Sequence, residues 1–237
     1  MPVDYMSDKI YKIDYVAWKR ELSQMPIFNS RKIQKSYLDK WIKILKTQDD
    51  LACKDYKEPR SKMLMSKERM EASEIFQIPI IYKTNTVYID FRVSCIIQMM
   101  EQSENLLDNT RAIDIKEFTD KNIRINWTPT TDIVEIKKLP IIMVPLTVDK
   151  FYKWLVIDGN HRITHAIEKK EKSIKALLLP PDVLIERDFF STEFDKFLYV
   201  FQNEMVALAS YIHMYGYSDK QAIKLAYFYS GNVQYYV

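Results

Sequence analysis

Glycine is scarce in this chain: the 237 residues contain three, Gly159, Gly216 and Gly231. Average usage near 7% would give roughly 17. Glycine turns the backbone through positive φ and lets it approach a ligand closely. Its scarcity excludes collagen, Gly/Ser linkers, multi-glycine dinucleotide fingerprints and the GxxxxGK[ST] phosphate loop. Cysteine is as sparse. Cys53 and Cys95 are too few for a disulfide scaffold or a four-cysteine zinc site, and they read as free thiols. Long apolar runs are missing too. No stretch reaches the roughly 18 uncharged apolar residues of a membrane helix, and residues 1–12 lack the apolar run of a signal peptide. The expectation is a cytoplasmic protein with no membrane partner. Charge of one sign is weak as well: 35 basic against 32 acidic residues leave +3.

What is present suits a globular core. Hydrophobic residues make up 47% and aromatics 13%, which excludes wholesale disorder. Three sections differ in texture. Residues 1–121 read as mainly helical. Trp18, Leu22 and Met25 form one apolar stripe, and Ile33, Tyr37, Trp41, Ile44 and Leu45 form another, capped by Ser30. The opposite face of that second helix carries Arg31, Lys32, Lys35, Lys43 and Lys46. It reads either as a solvated face or as one that follows a phosphate backbone. Residues 1–69 hold 16 basic against 10 acidic residues. Two β-rich runs, 78–82 and 87–91, flank Thr84-Asn85-Thr86 and predict a hairpin at 78–91. A helix over 93–107 follows.

Residues 122–184 alternate short strands and helices. Strands are expected at 122–127, 140–146, 152–157 and 174–179, with a short helix over 130–136. Pro145 within the second strand argues for a sheet edge. Residues 185–237 return to helix, one over about 189–211 and another over 218–228 around the break at Gly216. The second of these is a possible recognition helix, although the section carries 4 basic against 6 acidic residues. The aromatic stretch around Tyr199–Phe201 reads as core.

The chemistry concentrates at Asp158-Gly159-Asn160-His161-Arg162, where a strand runs into a helix. A helix N-terminus exposes unpaired N–H groups and about half a positive charge, which suits an anion. Gly159 allows close approach, Arg162 can fork onto phosphate oxygens, and His161 adds a donor. Asp158 has three available roles: helix cap, ligand of a divalent metal, or orienter of Arg162. His165 lies one helical turn after His161, the spacing of a metal pair, but no third ligand is evident.

This run, in its strand–turn–strand–motif–helix–strand context, resembles the nucleotide-phosphate motif of the ParB/sulfiredoxin superfamily, over about residues 122–184. The resemblance implies an α+β protein: a small ParB/sulfiredoxin-like α/β core with helical N- and C-terminal extensions. It implies a nucleotide (ATP, ADP or CTP) with Mg bound at Gly159, Asn160, His161 and Arg162, with Asp158 holding the metal. The nearest motif form is the D-G-x-H-R of the free-serine-kinase branch. It implies a phosphotransferase or nucleotide hydrolase using Asp158 and His161, with Glu135 or Asp132 as the further carboxylate and an acceptor left open. The alternative is a DNA-binding, partition-type or nuclease protein of a plasmid or phage. Two departures narrow the choice. Asn160 stands where sulfiredoxin needs a cysteine, and Gly-Asn-His-Arg differs from the G-E-R-R-type box of the partition proteins.

Overall fold

The computed structural model describes residues 13–57, 74–102, 109–119, 124–130, 139–148 and 151–234. The described chain is α+β and divides into two compact units. One joins residues 1–91 to 190–237, and the other holds 92–189. Unit boundaries thus fall at 91/92 and 189/190, whereas the changes of texture along the sequence fall at 121/122 and 184/185.

The first unit begins with α1 (Tyr15–Leu22), capped by the Asp14 carboxylate, which accepts from the N–H groups of Val16 and Ala17. Helix α2 (Arg31–Lys57) follows. Ser30 Oγ accepts from the Ile33 N–H, as the capping residue predicts. Gln34 pins the connection: its amide nitrogen donates to the carbonyls of Ser23 and Met25, and its oxygen accepts from the N–H groups of Ile27 and Phe28. The expected hairpin is present as β1 (Ile75–Ile81) and β2 (Thr86–Arg92), a two-stranded sheet. The unit closes with α7 (Glu193–His213), α8 (Asp219–Leu225) and α9 (Tyr227–Ser230). Thr192 caps α7, and a Ser218–Gln221 capping box starts α8. The single helix expected over 218–228 is broken at Ala226, which is extended (φ −56°, ψ 142°) and separates α8 from α9. Trp18, Leu22, Tyr37, Trp41, Leu45, Tyr199 and Phe201 form the aromatic-rich core.

The second unit is a five-stranded sheet in the order β3-β7-β5-β6-β4. Its elements are α3 (Val93–Gln102), β3 (Thr110–Asp114), α4 (Lys116–Thr119), β4 (Ile125–Asn126), β5 (Ile141–Val148), β6 (Phe151–Asp158), α5 (Asn160–Glu168), β7 (Ser173–Leu178) and α6 (Pro181–Glu186). Strands β5 and β6 form an antiparallel hairpin; β7 runs parallel to β5 and antiparallel to β3. Ile163 and Ala166 of α5 pack with Ile141, Met143, Val156 and Ala176 of the sheet.

Strand β5 is central, not an edge, which corrects the expectation from Pro145. The reason is local. Pairing with β7 covers Ile141–Met143 only, so at Pro145 the strand has β6 alone as its neighbour and no ladder bond is lost on the other side. Strand β3 and helices α4 and α6 were not expected. The helix expected over 130–136 lies almost wholly outside the described residues, as do Asp132 and Glu135.

Candidate functional site

Strand β6 delivers Asp158 to the end of the sheet, and α5 begins two residues later. Gly159 is the N-cap, left-handed at φ 105° and ψ 15°, with no side chain capping the helix. A Cβ there would lie 2.7 Å from Ile141 Cβ and 3.1 Å from an Arg162 nitrogen. Gly159 is therefore required twice, by positive φ and by the close pass of β5 beneath it. That requirement comes from the protein's own packing rather than from a ligand.

Arg162 does not extend into solvent. Its guanidinium donates to the Leu139 carbonyl, to the Pro140 carbonyl at 2.8 Å and to the Asp158 carboxylate. The two side chains of the ion pair are 11% and 18% exposed. Of the three roles open to Asp158, the structure shows the third, pairing with Arg162; the cap position belongs to Gly159. The fork geometry of arginine serves the start of β5, closing the loop before the strand onto the first turn of α5.

Asn160 and Thr164 hold the segment from 127 to 130. Asn160 Oδ1 accepts from the Thr128 N–H at 3.0 Å, and Thr164 Oγ accepts from the Thr130 N–H at 3.2 Å. Trp127 is anchored by its indole N–H to the Phe118 carbonyl. This segment is bonded to the first turns of α5; Asp132 and Glu135 lie outside the described residues. The structure thus brings Asp158, Gly159, Asn160, His161 and Arg162 together. His161 Nδ1 is buried without a hydrogen-bond partner among the described residues.

The metal implied by the resemblance finds no ligand set here. Asp158 gives an oxygen to Arg162, and among the described residues no group of three or more His, Cys, Asp or Glu is placed to hold an ion. His161 and His165 have no third ligand among those residues. What remains is a helix start with no side-chain cap, a buried imidazole nitrogen and an arginine held in the first turn.

Sequence reasoning missed a second group of polar residues, in the core of the first unit. Glu204, buried in α7, accepts from Trp41 Nε1 and from the Tyr227 N–H that opens α9. Burial pushes its carboxyl up to about 7, partly offset by the Tyr227 N–H and the Trp41 indole. Asp195 takes the Asp90 N–H and the Thr192 hydroxyl. Burial, and then the nearby Asp90, hold it well above the usual carboxylate range. Burial raises Asp90 to about 6 against a hydrogen bond from Gln77. The available signal was the polar run Gln202-Asn203-Glu204 set between the apolar stretches 197–201 and 205–208.

No helix among the described residues is long and apolar enough to cross a membrane. No family model, curated protein or solved structure matches this chain.

Proposed function

We propose that the β6–α5 junction binds the phosphates of a nucleotide, as the recognition step of a phosphotransferase or nucleotide hydrolase. The observation that carries the reading is the first turn of α5, which starts at left-handed Gly159 with no side-chain cap and with His161 Nδ1 unpartnered among the described residues. Helix-start amides and the end of the dipole favour negative charge. Arg162 is paired with Asp158, and its donors hold that carboxylate and the start of β5. It is a positioning residue. The donors to phosphate are backbone amides and His161. The likeness of the 158–162 run to the ParB/sulfiredoxin phosphate motif favours a nucleotide over a bare anion. Positioning and electrostatics supply most of the rate in phosphoryl transfer, and a preorganised positive turn provides both.

A melting screen with ATP, ADP and CTP, each with magnesium, tests this. Ligand at about a hundred times its Kd stabilises by about 2.7 kcal/mol, which raises Tm by several degrees in a chain of this size. At least one nucleotide is expected to give that rise. A flat response to all three at millimolar concentration overturns the reading.

A further inference from the structure

The first unit carries a surface that the proposed nucleotide site does not use. Between residues 31 and 48 of α2 there are six basic residues and one acidic one, Asp39. Asp39 is neutralised by an ion pair with Lys19. Lys32, Lys35, Lys40 and Lys43 then line one exposed face with Ser36 and Asp39, forming a shallow groove of about 430 Å³. Lys32 to Lys43 cover eleven residues of helix, about 16 Å at 1.5 Å per residue.

This groove shares Ser36 and Lys40 with a second, tighter concavity of about 190 Å³. Ile33, Tyr37, Ile223, Phe228 and Tyr229 wall it. Tyr229 is 59% exposed, yet it is held in place. The Lys40 ammonium donates to its hydroxyl at 3.0 Å and lies 4.6 Å from the ring centroid. The Tyr227 N–H bond to Glu204, two residues earlier, fixes α9 against the core. A row of lysines thus runs past a positioned aromatic ring beside an apolar concavity.

We propose that this face binds single-stranded nucleic acid. The lysines follow the phosphates, and the Phe228–Tyr229 concavity receives a base against the Tyr229 ring. The row of about 16 Å is long enough to follow a few successive phosphates of one strand. Grooves for single strands take roughly four to sixteen nucleotides. An aromatic platform is useful to an unpaired base, whose face is free, and not to a duplex, whose base faces are stacked inside. An acidic protein segment would use the lysines but not the platform.

Fluorescence anisotropy on the full chain, with a labelled 12-nucleotide oligo-dT and the matching dT·dA duplex, tests this. Four phosphate contacts predict a slope of log K against log salt near −3 for the single strand. Lys35→Gln with Lys43→Gln removes two contacts and moves the slope toward about −1.4. Tyr229→Ala weakens oligo-dT binding at least fivefold, and Tyr229→Phe restores it. All these residues are exposed, so circular dichroism and Tm should match the parent chain. Three results overturn the proposal: binding and slope unchanged in the double lysine variant, duplex bound as tightly as single strand, or Tyr229→Ala as tight as the parent. Equal displacement by poly-glutamate at the same charge concentration overturns it in favour of an acidic protein partner.

Discussion

The two units treat their polar side chains in opposite ways. The first buries three carboxylates, Asp90, Asp195 and Glu204, in a core of tryptophan, tyrosine and phenylalanine. Both oxygens of Glu204 and both of Asp195 are taken by donors from the chain itself. The second unit keeps its central ion pair, Asp158–Arg162, partly open at the end of the sheet. There the first amides of α5 have no side-chain cap. The comparison teaches that burial and perturbed acidity do not by themselves mark a binding site. In the first unit those acids fasten helices and a hairpin together. In the second, the ion pair ties the start of β5 to a helix start that has no side-chain cap.

The largest effect is expected where the first unit's network is cut. Trp41→Ala removes a fully buried ring that touches Phe201 and Phe228 and leaves Glu204 without its indole donor. A loss of about 3–5 kcal/mol is expected in urea unfolding. A loss under about 1 kcal/mol would show that the acid network is incidental.

The next effect belongs to the second unit, and two glycines sharpen it. Gly159 and Gly216 both have positive φ, 105° and 73°, but only Gly159 has the Ile141 side chain where its Cβ would go. Gly159→Ala should cost about 2 kcal/mol or more, through strained backbone and overpacking together. Gly216→Ala, with open space around it, should cost about 1 kcal/mol. Equal losses would mean that φ alone decides both positions.

A smaller effect separates the units by pH. Glu204 and Asp90 have folded-state values raised to about 7 and about 6, so the folded chain holds these protons more tightly than the unfolded one. The stability this confers is complete below the ordinary carboxylate range and is lost as pH rises through the raised values. Tm is therefore expected to fall between about pH 4.5 and 7. Glu204→Gln keeps an acceptor for the Tyr227 N–H and should flatten part of that slope. An unchanged slope in Glu204→Gln assigns the pH dependence elsewhere.

Much of the fold was legible because local periodicity sufficed. The stripe Ile33–Leu45, the β1–β2 hairpin, the β6–α5 junction and β7 all follow from spacing within one element. What was not legible depended on distant partners. Strand β3 is short, with Arg111 and Ala112 exposed, and its identity comes from pairing with β7 some sixty residues later. Pro145 suggested a sheet edge, whereas β5 is central, and only the limited reach of β7 shows why a proline fits there. At the site, the five motif residues do meet. Arg162 was expected to face phosphate, yet it is held by the carbonyls of Leu139 and Pro140, 23 and 22 residues earlier. No spacing rule reports that. Gly159 likewise faces Ile141, so a glycine at this junction is explained by packing as well as by backbone conformation.

The finding about Arg162 decides how the central claim is best tested. Arg162→Ala would leave Asp158 and two carbonyls without their donor, so loss of binding would be confounded with loss of structure. Asn160→Asp avoids this. Its carboxylate still accepts from the Thr128 N–H but places negative charge in the first turn of α5, where phosphate is proposed to sit. The measurement is titration calorimetry of the nucleotide that gives the largest melting shift, on the parent chain and on Asn160→Asp, with Tm recorded for both. The account predicts matching Tm values and at least a tenfold weaker Kd in the variant. Matching Tm values with the same Kd would place the nucleotide elsewhere and contradict it.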